Sequence, residues 1–159
     1  MDTSDTHAAH LERAVAVAVA NVAADGGPFG ALLVTSDGQV FEGANRVTST
    51  NDPTAHAEVV AIRAACAALG TFDLRGSVLY ASCEPCPMCL AAGLWARVDA
   101  IWFAADRGDA ARAGFDDATF YEFFAEAPED RSPPVRRQRT ASSGEPFDAW
   151  RALDSHTGY

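Results

Sequence analysis

A chain of 159 residues with 48% apolar side chains can bury a core without disulfides, which sets aside a disordered chain. Acidic residues outnumber basic ones 22 to 12, and a net charge of −10 opposes binding to long nucleic acids, whose phosphates need cationic partners. No apolar run reaches the length of a membrane span, and the polar, acidic opening "MDTSDTH" lacks the marks of a secretory or transit segment. A cytoplasmic protein with one domain over 1–159 is the expectation.

In chain order, Leu11, Ala14, Val15, Ala18, Val19 and Val22 recur at helical spacing, and Asp25-Gly26-Gly27-Pro28 ends that helix. "GALLVT" and "VFEGANR" read as strands joined by a turn at Ser36-Asp37-Gly38-Gln39. "TSTNDP" reads as a loop. A helix from about Thr54 to Leu69 follows, with Gly70 as its stop. "SVLYAS" is a buried strand, "PMCLAAGLWAR" a helix and "DAIWFAA" another strand. Phe115 to Phe124 reads as a short helix, "VRRQRT" as an edge strand, and Pro146 to Leu153 as a short helix with Phe147, Trp150 and Leu153 on one face. Arg136, Arg137 and Arg139 make that edge strand a solvated one or, alternatively, a contact for an acidic partner chain. Strands alternating with helices predict a layered α/β domain with a mixed sheet.

Chemistry concentrates in two places. "HAE", His56 to Glu58, opens one predicted helix, and "PCPMC", Pro85 to Cys89, opens another. Residues three apart share a helix face, so Cys86 and Cys89 can hold one ion together. The positive end of a helix favours the thiolates that bind metal. His56 supplies a neutral third ligand, and two thiolates offset a Zn²⁺ that keeps a fourth position for water. Glu58 is placed to move a proton over that water. Cys83 leaves the preceding strand ahead of Pro85 and points elsewhere. The alternative is a closed Cys₃His site that includes Cys83, and it gives Glu58 no purpose. Cys66, alone among alanines, reads as a small core residue. His7, His10 and His156 fall in polar terminal stretches and read as solvated.

The pattern H-x-E followed by P-C-x-x-C is the signature of zinc nucleobase deaminases. The 26 residues between Glu58 and Pro85 suit one helix and one strand. With "GGPFGA", "NDPTAHAEV", "SCEPCPMCL", "WAR", "AGFDD" and "FDAWR", the chain resembles the cytidine deaminase superfamily, and within it the small bacterial guanine deaminases, from about Leu11 to Tyr159. That resemblance implies a three-layer α/β/α cytidine deaminase-like fold around a five-stranded mixed sheet. It implies Zn²⁺ on His56, Cys86 and Cys89, with Glu58 as proton shuttle. It implies a base pocket that includes Asn45, Phe29, Ala57, Trp95 and Asp117, with Glu122 as a second acid and Tyr159 as a terminal aromatic cover. It implies a homodimer in which the tail, residues 145–159, covers the active site and is exchangeable between subunits. The expected reaction is hydrolytic deamination of a free nucleobase, guanine first. The alternatives are other aminated rings (cytosine analogues, triazines such as ammeline), a purine nucleoside such as guanosine, or a structural zinc module that binds a partner.

Overall fold

The computed structural model describes residues 3–158. Residues up to Phe120 form one compact unit and those from Tyr121 a second. The first unit runs α1 (Thr3–Ala23), β1 (Gly30–Val34), β2 (Val40–Ala44), α2 (Val47–Thr50), α3 (Ala57–Leu69), β3 (Val78–Cys83), α4 (Pro87–Trp95), β4 (Ala100–Ala105), α5 (Arg107–Arg112) and the start of α6 (Ala118–Ala125). The sheet order is β2-β1-β3-β4. β1 pairs antiparallel with β2 and with β3, whereas β3 and β4 are parallel and joined across α4.

The pleat divides each central strand between two layers. Ala31, Leu33 and Leu79 pack with Ala57, Ala61, Ile62 and Ala65 of α3, and Ala92 of α4 lies against the same cluster. Leu32 and Tyr80 face the other way, onto Ala14, Leu11 and Val17 of α1. Helices thus cover both faces, which is the three-layer α/β/α arrangement.

The sheet has four strands among the described residues, not the expected five. The segment expected as a strand, "VRRQRT", has no strand conformation. Pro133 and Pro134 remove two backbone donors just ahead of it, and three closely spaced arginines favour water over a ladder. β4 is left as an edge, with Trp102 and Phe103 exposed. Two smaller expectations also change. "TSTNDP" overlaps the one-turn helix α2, capped by Asn51 in the left-handed region (φ 53°). The helix carrying "HAE" starts at Ala57 rather than Thr54, because residues 52–56 form turns that leave His56 extended as its N-cap.

Of the stripe expected along α1, Leu11, Ala14 and Ala18 turn inward and the two C-terminal valines do not. Val19 and Val22 are exposed while Ala14 and Ala18 are buried. The cause is contact distance: a Cβ on Gly30 would lie 2.4 Å from the Ala14 carbonyl oxygen and 2.6 Å from the Ala18 nitrogen, so the backbone of α1 rests directly on β1. His7 and His10 share this face. His7 Nδ1 is 2.8 Å from the Tyr80 hydroxyl, its ring stacks on Trp102 at 4.2 Å, and His10 lies 4.8 Å from the Tyr80 ring. These two histidines are therefore packed, not solvated.

The same close approach occurs under α3. A Cβ on Gly43 would meet the Ala57 carbonyl oxygen at 2.0 Å and the Ala61 nitrogen at 2.6 Å, both backbone atoms that cannot step aside. Gly43→Ala is therefore expected to push α3 off the sheet and lower the melting temperature by roughly 10 °C. Thermal unfolding followed by circular dichroism checks this, and a shift under about 2 °C would contradict the close packing.

In the second unit, α7 (Glu145–Arg151) is a seven-residue helix. Arg131 lies over the Phe123 ring at 5.4 Å, and Trp150 lies 5.1 Å from His156. Phe147, Trp150 and Leu153 are exposed. No helix among the described residues is long and apolar enough to cross a membrane.

Candidate active site

Two helix starts meet where α3 and α4 lie against one another. His56 is the N-cap of α3 and Cys86 the N-cap of α4, and Cys89 falls in the first turn of α4 behind Pro87. Proline suits that first turn because its missing N–H would find no partner there in any case. The donor atoms of His56, Cys86 and Cys89 lie within 4.8 Å of one another, and they are the one such group of three among the described residues. His56 Nδ1 is 3.6 Å from each sulfur. In a zinc tetrahedron, Zn–N and Zn–S bonds of ordinary length put nitrogen and sulfur about 3.6 Å apart. The donor set and its spacing therefore fit zinc with one position left over.

Electrostatics poise the cluster with a thiolate at Cys86 that shares protons with its two neighbours. The Cys86 thiol is lowered to about 4, first by the hydrogen bond from Cys89 and then, against the opposing cost of burial, by His56. Cys89, sharing its proton with that thiolate, is raised. His56 is raised by its hydrogen bond to Cys86. Two helix N-termini aimed at the same point add partial positive charge.

Cys83 stands apart. It is buried, its Sγ lies 3.5 Å from the Asp106 carbonyl oxygen rather than among the three converging donors, and burial lifts its pKa to about 11. Glu58 is the second residue of α3, in its first turn, and is 7% exposed. Burial raises its carboxyl above the ordinary range, opposed by a hydrogen bond from Cys89 and by the charge of His56. A carboxylate so placed holds protons more readily than one in water, which suits a group that must take a proton and return it near neutral pH.

The other expected site residues fall unequally around this centre. Asn45 is buried, and its side-chain oxygen accepts from the Val47 N–H at 3.2 Å. Phe29 is half-buried and meets Phe115 edge to face at 4.9 Å. Ala57 is fully buried beneath the sheet-facing side of α3 and packs in the core. Asp117 is half-buried. Its carboxyl is raised by burial and then by the Cys86 charge, with His56 pulling the other way, so it senses the metal cluster. Trp95 is 62% exposed at the end of α4, with the Arg97 guanidinium 6.0 Å from its ring. Glu122 is exposed and lies in the second unit. Tyr159 lies outside the described residues.

One supporting residue escaped the sequence reading. Asn21 Nδ2 donates to the Gly27 carbonyl at 2.8 Å and to the Asn45 carbonyl at 2.9 Å, tying α1 to the loops that carry Phe29 and Asn45. Its signal was present: Asn21 continues the inward face set by Ala14 and Ala18, where a polar side chain needs partners.

Comparison with known proteins places this geometry. The pattern of the cytidine and deoxycytidylate deaminase zinc-binding region matches residues 4–105. Guanine deaminase of Bacillus subtilis is 49% identical over 154 residues, which cover 96% of this chain and 99% of its own. A solved structure of the Bacillus subtilis guanine deaminase superposes with a TM-score of 0.92 at 46% identity, covering 100% of this chain and 99% of that one. A solved structure of NE0047 in complex with 2,6-diaminopurine superposes with a TM-score of 0.64 at 36% identity, covering 68% of this chain and 61% of that one.

Proposed function

The chain belongs to the cytidine and deoxycytidylate deaminase zinc-binding family, and from that premise we propose that it deaminates free guanine hydrolytically, giving xanthine and ammonia. The observation that carries the proposal is the His56–Cys86–Cys89 cluster with Glu58 buried beside it, on a chain that matches a guanine deaminase over nearly its whole length. A bound aminated purine in one structural relative is consistent with a purine ring.

Zinc held by His56 Nδ1, Cys86 Sγ and Cys89 Sγ would supply the Lewis acidity that brings the pKa of water toward neutrality. Glu58 takes the proton from the attacking water as its oxygen bonds to C2 of guanine, and delivers that proton to a ring nitrogen. The second proton of the water leaves with the amine, again through Glu58, as the C2–N bond breaks and ammonia departs. The buried position of Glu58 suits both transfers. The Asn45 amide donates to the base, Phe29, Ala57 and Trp95 contribute to the pocket around the ring, and the Asp117 carboxylate accepts a purine N–H. Glu122 acts as a second acid near the leaving amine, and Tyr159 covers the base.

The molecule acts as a homodimer, with residues 145–159 covering an active site and exchangeable between subunits. The exposed Phe147, Trp150 and Leu153 support this, since a seven-residue helix cannot bury that face alone. Deleting residues 145–159 is expected to leave zinc bound and to abolish guanine turnover, because the cover excludes water and positions the base. Metal analysis beside an ammonia assay checks it, and normal turnover by the truncated chain would remove the covering role.

Ammonia release by the zinc-loaded protein from guanine, cytosine, ammeline, guanosine and adenine tests the function. Guanine should lead. Another ring in first place would move the assignment within the family, and no ammonia from any ring would favour a structural zinc module.

A further inference from the structure

Residues 106–117 link β4 to Asp117 with little apolar packing of their own. Ala110 is buried, and Phe115 meets Phe29 edge to face. What ties this segment to the metal-bearing loop is polar. The Glu84 N–H donates to the Ala105 carbonyl at 2.8 Å, and the Cys83 thiol reaches the Asp106 carbonyl. The Glu84 carboxylate then accepts from Arg107 three times: from its backbone N–H at 3.1 Å, from Nε at 3.0 Å and from Nη2. Glu84 lies two residues before Cys86, and its side chain is 17% exposed against 43% for Arg107.

α5 is stiff at the point where this grip takes hold. Asp106 accepts from the Asp109 N–H at 2.8 Å, and Asp109 accepts from the Asp106 N–H at 3.0 Å, a reciprocal capping pair. A shift at Arg107 would therefore move the whole short helix and the turn after it, where the Phe115 N–H donates to the Ala110 carbonyl.

We propose that Arg107 is a positioning residue: its forked clasp on Glu84 holds residues 106–117 in register with the metal loop and so places Asp117 against the substrate. This rests on the assignment of Asp117 to the base pocket given above. A guanidinium suits the task because its planar fork meets both carboxylate oxygens, whereas an ammonium would engage them as a point charge without fixing an angle. A partly exposed ion pair contributes little to global stability, so the consequence of losing it is misplacement rather than unfolding.

The test uses the full zinc-loaded chain and four variants: Arg107→Met, Arg107→Lys, Glu84→Gln, and the double Glu84→Gln/Arg107→Met. Zinc content should stay at the parent level. Amide hydrogen exchange in 107–117 should rise about tenfold in Arg107→Met, with β3 and α4 unchanged. KM for guanine should rise about tenfold with a smaller change in kcat, Arg107→Lys should restore part of the loss, and the double variant should be no worse than Arg107→Met. Unchanged exchange in 107–117, or single-variant effects that multiply in the double, would overturn the clasp. Loss of zinc or of folding in Arg107→Lys would mark the pair as a structural support and overturn it too. Raised exchange with an unchanged guanine KM would overturn the link to Asp117. If the parent chain does not turn over guanine, the proposed function fails, while the exchange data still decide the clasp.

Discussion

Glu58→Gln is expected to bind zinc at the parent stoichiometry and to deaminate guanine on the order of 10³-fold more slowly. The amide keeps the shape and the acceptor oxygen of the carboxylate but cannot carry a proton. Glu58 has a single proposed duty, moving protons between water, ring nitrogen and leaving amine, so the loss should fall on kcat rather than on metal binding. Its burial strengthens the distinction: at 7% exposure, bulk water cannot readily substitute for the missing base. Stability should hold or improve, because a neutral amide avoids the desolvation that raises the carboxyl's pKa. Elemental analysis and single-turnover kinetics check both halves. Zinc loss, or turnover within about tenfold of the parent, would remove Glu58 from the proton path.

How much of this was legible in the sequence differs by residue, and the differences have physical causes. The metal cluster was legible because its ligands are local: Cys86 and Cys89 are spaced by less than one helical turn, and His56 sits at another helix start. The strand at "GALLVT" was legible for the same reason, as a short apolar run beside a turn. The inward face of α1 was legible only in part: Leu11, Ala14 and Ala18 face the sheet but Val19 and Val22 do not, since hydrophobicity ranks valine above alanine, while the close approach to Gly30 admits only the smaller residue. The missing fifth strand turned on two prolines and a run of arginines that a β-propensity reading undervalues. Asn21 to Asn45 and Glu84 to Arg107 are pairs more than twenty residues apart, and nothing in local spacing joins them.

The three clustered cysteines should separate cleanly by substitution. Cys86→Ala and Cys89→Ala are each expected to lose zinc, and deaminase activity with it, because two remaining donors cannot retain an ion that three share with water. Their loss also leaves a hole beside buried Val59, so some destabilisation should accompany metal loss. Cys83→Ser should keep its zinc. Cys83 faces the Asp106 carbonyl rather than the cluster, and a serine hydroxyl can take up the same acceptor at a cost of about 1 kcal/mol. The same substitution also tests the charge argument. A site with two thiolates leaves the zinc centre nearly neutral and able to polarise water, whereas a third thiolate would close the last position and quench that acidity. Zinc stoichiometry and ammonia release measured on the three purified variants decide it. A metal-free Cys83→Ser protein would make the centre a closed four-ligand site, and hydrolytic deamination at it would be ruled out.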